Sequence, residues 1–157
     1  MLMVELTIAE DVLGCYPALC RALDERERYI EALSRTRGNQ GTYDGGERMS
    51  EQEALYDRKM RDPEYAELDA AVDAIGAGLM SLTTRQRVIV LLADFEGMSV
   101  RQAAAEMGLS LATAWRERKR ALYLMKDVCF TLYPLVRRFR QAARQAIYAR
   151  AQTAECG

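Results

Sequence analysis

The amino-acid sequence predicts an all-α protein: a coiled-coil-like antiparallel helical hairpin at the N-terminus, then a helix-turn-helix, then a basic C-terminal helix. Three observations predict it. Apolar residues recur at three- and four-residue intervals along most of the chain. Capping residues and glycines punctuate those runs at short spacing. No stretch shows the alternating, β-branched pattern of a half-buried strand with hairpin turns. At 157 residues, half of them apolar, the chain has ample material for a core.

The first predicted helix runs from about Thr7 to Leu33, with Thr7 as N-cap and Glu10 three residues on at capping-box spacing. Pro17 should kink or restart it. Beyond Pro17, Leu19, Leu23, Ile30 and Leu33 form a seam that Arg26 interrupts. "SRTRGNQGTYDGGERMS", residues 34–50, holds four of the ten glycines and almost nothing to bury, which predicts a flexible loop. A helix then restarts at Pro63 with Asp62 as N-cap, and Tyr65, Leu68, Val72, Ile75 and Leu79 make a second stripe. Two stripes joined by a flexible loop predict a hairpin domain over residues 1–81. The same stripes could also find partners in a second chain, so a homodimer is expected as well.

Residues 82–128 read as three short helices. Thr83 or Thr84 caps the first, whose apolar face uses Val88, Leu91, Leu92 and Phe95, and Gly97 ends it. Ser99 caps "VRQAAAEM", whose alanines allow close approach of another helix. Gly108 supplies a turn, and Ser110 caps the third helix, buried through Ala114, Ala121, Leu122 and Met125. A short helix, a glycine turn and a second helix make a helix-turn-helix. The remainder, a domain of residues 129–157 that begins its helix near Asp127, is basic and amphipathic with a bend at Pro134. Phe130, Leu132, Leu135, Val136, Phe139, Ile147 and Tyr148 look like packing residues there, within the chain or in a dimer. Arg137, Arg138, Arg140, Arg144 and Arg150 add non-specific attraction for phosphate, or for a membrane surface as a minor reading.

The net charge of −1 hides an asymmetry. Through Ser81 there are nine basic and seventeen acidic residues; thereafter there are thirteen basic and six acidic ones. The basic half is the candidate for an anionic polymer. Histidine is absent, which removes the commonest general base and metal ligand. No phosphate-cradling glycine motif is present, and Cys15, Cys20, Cys129 and Cys156 lack the spacing of a zinc site, so they read as reduced thiols. A protein that is not an enzyme and needs no cofactor is the expectation. The sequence holds no apolar run long enough for a membrane span and no signal-peptide pattern at its start, which predicts a cytoplasmic protein without a membrane partner.

Within that frame, "LTTRQRVIVLLADFEGMSVRQAAAEMGLSLATAWRERKRAL", residues 82–122, resembles the fourth region of bacterial sigma factors, the module that binds promoter DNA. The likeness lies in "LTTRQR" at the first helix, "FEGMS" at the turn, Ala104 at a position kept small, Gly108 in the tight turn, and Ser110 opening the recognition helix that "RAL" closes. Upstream, "RYIEALSRTRGNQG" does not resemble the aromatic, basic strand-opening helix of a complete sigma factor. The layout of helix, loop, helix and helix-turn-helix, with an aromatic-Arg pair at Trp115 and Arg116, instead resembles phage late-transcription regulators of the RinA and ArpU type.

With Ser110 as N-cap, Leu111, Ala112, Thr113 and Arg116 occupy the positions that a helix-turn-helix points at base edges. Arg116 could chelate a guanine, and Ala112 or Thr113 could meet a thymine methyl. Arg118, Lys119 and Arg120, with Arg101, Gln102 and the helix start at Ser99, suit phosphate contacts, as do Thr83, Thr84 and Arg85. Trp115 suits either packing against a neighbouring helix or lying against DNA. The plainer alternative is a solvated basic face paired with the acidic half, at about 0 to 1 kcal/mol per exposed pair. The expected function is a sequence-specific DNA-binding transcriptional regulator acting on duplex DNA, with bacterial RNA polymerase as a second candidate partner. Alternatives are a DNA-packaging protein like a phage small terminase, and a sigma-like factor that binds chiefly the polymerase.

Overall fold

The computed structural model describes residues 2–36, 43–44, 47–48 and 50–156. Its elements are α1 (Leu2–Thr36), α2 (Glu51–Arg61), α3 (Pro63–Ser81), α4 (Thr84–Val90), a π-helical turn (Leu91–Phe95), α5 (Val100–Met107) and α6 (Leu111–Glu155). The all-α class is what the structure shows. Among the described residues the only strand pairing is a two-residue antiparallel ladder of Tyr43–Asp44 with Glu47–Arg48. Of the flexible loop expected over 34–50, residues 34–36 are instead the end of α1, Tyr43–Asp44 and Glu47–Arg48 form the short ladder, and residues 37–42, 45, 46 and 49 lie outside the described residues.

Contacts divide the chain into two compact units, residues 16–76 and residues 1–15 with 77–157. The first fifteen residues thus belong with the helix-turn-helix, not with the hairpin. No break separates 82–128 from 129–157, since α6 runs through both. Both Pro17 and Pro134 sit inside continuous helices.

In the unit of residues 16–76 the chain doubles back on itself as the two stripes predict. Leu19, Ile30, Tyr65, Leu68 and Ile75 are buried, and Leu23 and Val72 are half-buried. The interruption at Arg26 turns out to be a join: its Nε and Nη2 donate to the two carboxylate oxygens of Asp62 at 3.1 and 2.7 Å. Its Nη1 lies 3.3 Å from Glu64, and its guanidinium stacks 4.7 Å from the Tyr29 ring centre. One turn along, Lys59 bonds Glu27 and lies 3.5 Å from Glu31. Rising numbers on α1 meet falling numbers on α2 and α3, so the pairing is antiparallel.

Ser50 opens α2 with a reciprocal capping box to Glu53. Asp62 does two jobs, pairing with Arg26 and accepting the Tyr65 backbone N–H at 2.8 Å to start α3.

In the other unit α1 begins at Leu2, five residues before the expected cap. Thr7 therefore lies inside the helix, where its hydroxyl donates to the Met3 carbonyl at 2.8 Å. Thr83 caps α4 and forms a capping box with Gln86, whose buried side chain accepts from the Thr83 N–H. The apolar face of this helix differs from the expected one. Ile89 and Val90 are fully buried, Val88 is half-buried and Leu91 is 39% exposed. The π turn widens the helix at Leu91, where Glu96 N–H reaches the Leu91 carbonyl five residues back, and this rotates the residues beyond it out of register.

Gly108 closes α5 at φ +66°, with Leu109 N–H bonded to the Ala104 carbonyl. Ile89, Val100, Ala103, Ala104 and Ala114 form the helix-turn-helix core, with Leu92, Met107 and Leu111 packed against it. Small alanines on both helices let the backbones approach closely there.

α6 continues for 45 residues, burying Ala121, Leu122, Met125, Cys129 and Val136. Arg118 reaches Glu10, and Arg140 reaches Asp11, where its Nη2 donates to the backbone carbonyl at 2.7 Å. α6 runs on through Pro134 without a break.

Phe130, Ile147 and Tyr148, expected as packing residues, are exposed within the chain. Cys15 and Cys129 are buried, and burial pushes the Cys129 thiol up to about 12. Among the described residues no helix is long and apolar enough to cross a membrane.

The Arg26 hydrogen bonds, followed by the Tyr65 backbone N–H, hold the Asp62 carboxyl below its ordinary value of 3.8. Its contribution to stability is complete above that value and is lost as pH falls through the lower folded one. Asp62→Asn is therefore expected to lower the thermal unfolding midpoint at about pH 7. The gap from wild type should narrow at about pH 2.5, as followed by helical circular dichroism.

Candidate nucleic-acid interface

Two N-caps set the geometry of the motif. Ser99 accepts from the Gln102 N–H at 3.1 Å while Gln102 accepts from the Ser99 N–H at 3.0 Å. Both side chains are thereby engaged in starting α5, although both remain exposed. Arg101, between them, is exposed on the first turn of α5. Ser110 starts α6 by accepting from the Thr113 N–H at 3.2 Å, and its hydroxyl donates to Thr113 Oγ1 at 2.8 Å.

From that start the two faces of α6 divide sharply. Ala114, Ala121, Leu122 and Met125 face the core. Ala112, Trp115, Arg116, Lys119 and Arg120 are exposed, at the three- and four-residue spacing of one outer surface. Trp115 is 52% exposed, with much of its indole in solvent. Arg120 lies 3.3 Å from Glu117, one turn back. Tyr123 extends the outer surface by another turn and stacks on the Lys126 ammonium at 4.9 Å. Sequence reasoning passed over Tyr123, though its seven-residue spacing from Arg116 was a signal for it.

Three of the expected contact residues are placed otherwise. Leu111 packs against the motif's core, because the first turn of α6 lies on α5 there. Thr113 is half-buried with its hydroxyl held by Ser110. Arg118, expected on phosphate, is turned inward with its side chain only 14% exposed. Its Nη2 and Nε donate to Asp94 at 2.8 and 3.4 Å, and its Nη1 donates to Glu10 at 3.3 Å. Burial works against its charge, while the hydrogen bonds and charge of Asp94, with Glu10, more than offset that and raise its pKa above the ordinary arginine value. Ala112, Trp115, Arg116, Lys119, Arg120 and Arg101, with the exposed cap residues Ser99, Gln102 and Ser110, therefore form the part of the expected interface that the fold presents to solvent.

Residues 73–125 match the family model described as Sigma-70, region 4. Neither a curated protein nor a solved structure matches the chain. The match spans α4, the π turn, α5 and the first third of α6, with the end of α3 before them. The chain thus carries a sigma-region-4-like helix-turn-helix, a DNA-binding, transcription-related module.

Asp94 is only 4% exposed, so losing Arg118 leaves a carboxylate without its cation in a water-poor site. Arg118→Met is expected to destabilise the fold by about 3 kcal/mol in urea titrations. Lys119→Met, on the exposed side, should change stability by less than about 0.5 kcal/mol.

Proposed function

We propose that the protein is a sequence-specific DNA-binding transcriptional regulator that presents the N-terminal turns of α6 to the major groove of duplex DNA. The observation that carries this reading is the outward set of Ala112, Trp115, Arg116 and Lys119 on a helix capped by Ser110 and backed by an alanine-packed core. A major groove about 12 Å wide admits one helix, and the first turns of that helix are what touch base edges. Arg116 is the base-reading side chain, donating to guanine O6 and N7, with Ala112 beside a thymine methyl. Lys119, Arg120 and Arg101 hold phosphates and supply salt-dependent affinity without sequence choice. Trp115, half in solvent at the rim of this surface, lies along the sugar-phosphate backbone.

The resemblance of the layout to RinA- and ArpU-type proteins supports a setting in phage or mobile-element late transcription, with the protein in the cytoplasm. The acidic helical hairpin is the element for self-association, as a homodimer. The match to sigma region 4 favours RNA polymerase as a second partner. No cofactor and no catalytic step enter this function.

Binding-site selection from random duplexes, followed by fluorescence anisotropy, tests the proposal. Arg116→Ala should weaken the selected site by about 1 to 3 kcal/mol and relax preference at one or two base pairs. Lys119→Ala should weaken all duplexes alike and reduce the slope of log affinity against log salt by about one. Equal affinity of the Arg116→Ala protein and wild type on every duplex would remove Arg116 from base reading.

A further inference from the structure

The outer surface of α6 has a neighbour within its own unit. Leu2 and Leu6 of α1 share a shallow groove of about 300 Å³ with Arg116, Lys119, Arg120 and Tyr123. These four lie on the side of α6 away from its buried residues Ala114, Ala121, Leu122 and Met125. That is the side a DNA groove must receive. Further along, Glu5 lies 3.8 Å from Lys126 and Glu10 lies 3.3 Å from Arg118, so acidic side chains of α1 face the basic side chains of α6.

We infer that the first two turns of α1 form a built-in competitor for DNA, lying across the second and third turns of the recognition helix. The argument is one of space. An α-helix with its side chains is about 10 to 12 Å across. The major groove is about 12 Å wide. It cannot take α6 at Arg116 to Tyr123 and the start of α1 together. Full insertion of the recognition helix therefore requires residues 2–6 to leave.

The contact is built to be displaced. Leu2, Met3 and Val4 are exposed at a helix end, and Glu5 meets Lys126 at a loose distance. Ala9, Val12, Leu13 and Cys15, the buried part of α1 in this unit, need not move. Apparent affinity for DNA is then the intrinsic affinity multiplied by the fraction of molecules with the arm displaced.

This inference rests on the DNA-binding reading above, and the experiment separates the two. Three proteins are compared on the duplex selected with the full chain: wild type, a deletion of residues 2–6, and Leu2→Ser/Leu6→Ser, which changes no charge. Circular dichroism and thermal unfolding check that each is folded. The deletion and the double serine variant are both expected to bind about three- to tenfold tighter than wild type. Measurable binding that is equal or weaker in both variants overturns the competitor and leaves DNA binding standing. Tightening in the deletion alone assigns the effect to the lost Glu5 charge and also overturns it. If none of the three proteins binds any duplex, the DNA-binding reading fails and takes this inference with it.

Discussion

Asp94 is a carboxylate with 4% of its side chain in contact with water, and such a group is tolerated only beside a cation that also satisfies its oxygens. Arg118 is that cation, and the pair ties three parts of the chain together. Asp94 lies in the π turn, Arg118 in the second turn of the recognition helix, and Glu10 brings in α1. The widened turn after Val90 thus has a structural counterpart across the motif. With Arg118 held inward, the helix is set rotationally, and Arg116 and Lys119 on either side of it point out. The outward face is a consequence of the inward pair as much as of the apolar core.

The hairpin and the helix-turn-helix were legible in the sequence because the signals that specify them are local. Asp62 before Pro63, Thr83 with Gln86, Ser99 with Gln102, and the two positive-φ glycines all act within a few residues. What was not legible depends on partners distant in sequence. Arg118 looked like its neighbours in a basic run; its anchors lie 24 and 108 residues away. Arg26 looked like a flaw in a seam, yet Asp62, 36 residues on, makes it a join. The π turn at Leu91–Phe95, which moves the residues beyond Val90 out of helical register, was not legible either, since a single extra residue in a turn leaves no mark in composition. Leu111 and Thr113 sat at positions that a helix-turn-helix usually shows to DNA, but the packing of α5 took the first and a hydroxyl contact took the second.

The charge asymmetry also has a different meaning once the chain is folded. Counted by position it separates an acidic front from a basic back. In the structure Glu5, Glu10 and Asp11 lie beside Lys126, Arg118 and Arg140 within one unit. Part of the basic half is thereby neutralised by the chain's own N-terminus. The exposed cations of the motif, Arg85, Arg101, Arg116, Lys119 and Arg120, are those that remain available to set an ionic-strength dependence.

α6 joins the outward residues Arg116 and Lys119 to the exposed residues 141–155 with no loop between them. Residues 141–155, exposed throughout, are consequently a handle on the same shaft as Arg116. One residue added or removed between the two turns the handle by about 100° and shifts it by about 1.5 Å relative to that arginine. Spacing along α6 is therefore a phase as well as a length: residues 141–155 are oriented by the same helix that orients Arg116.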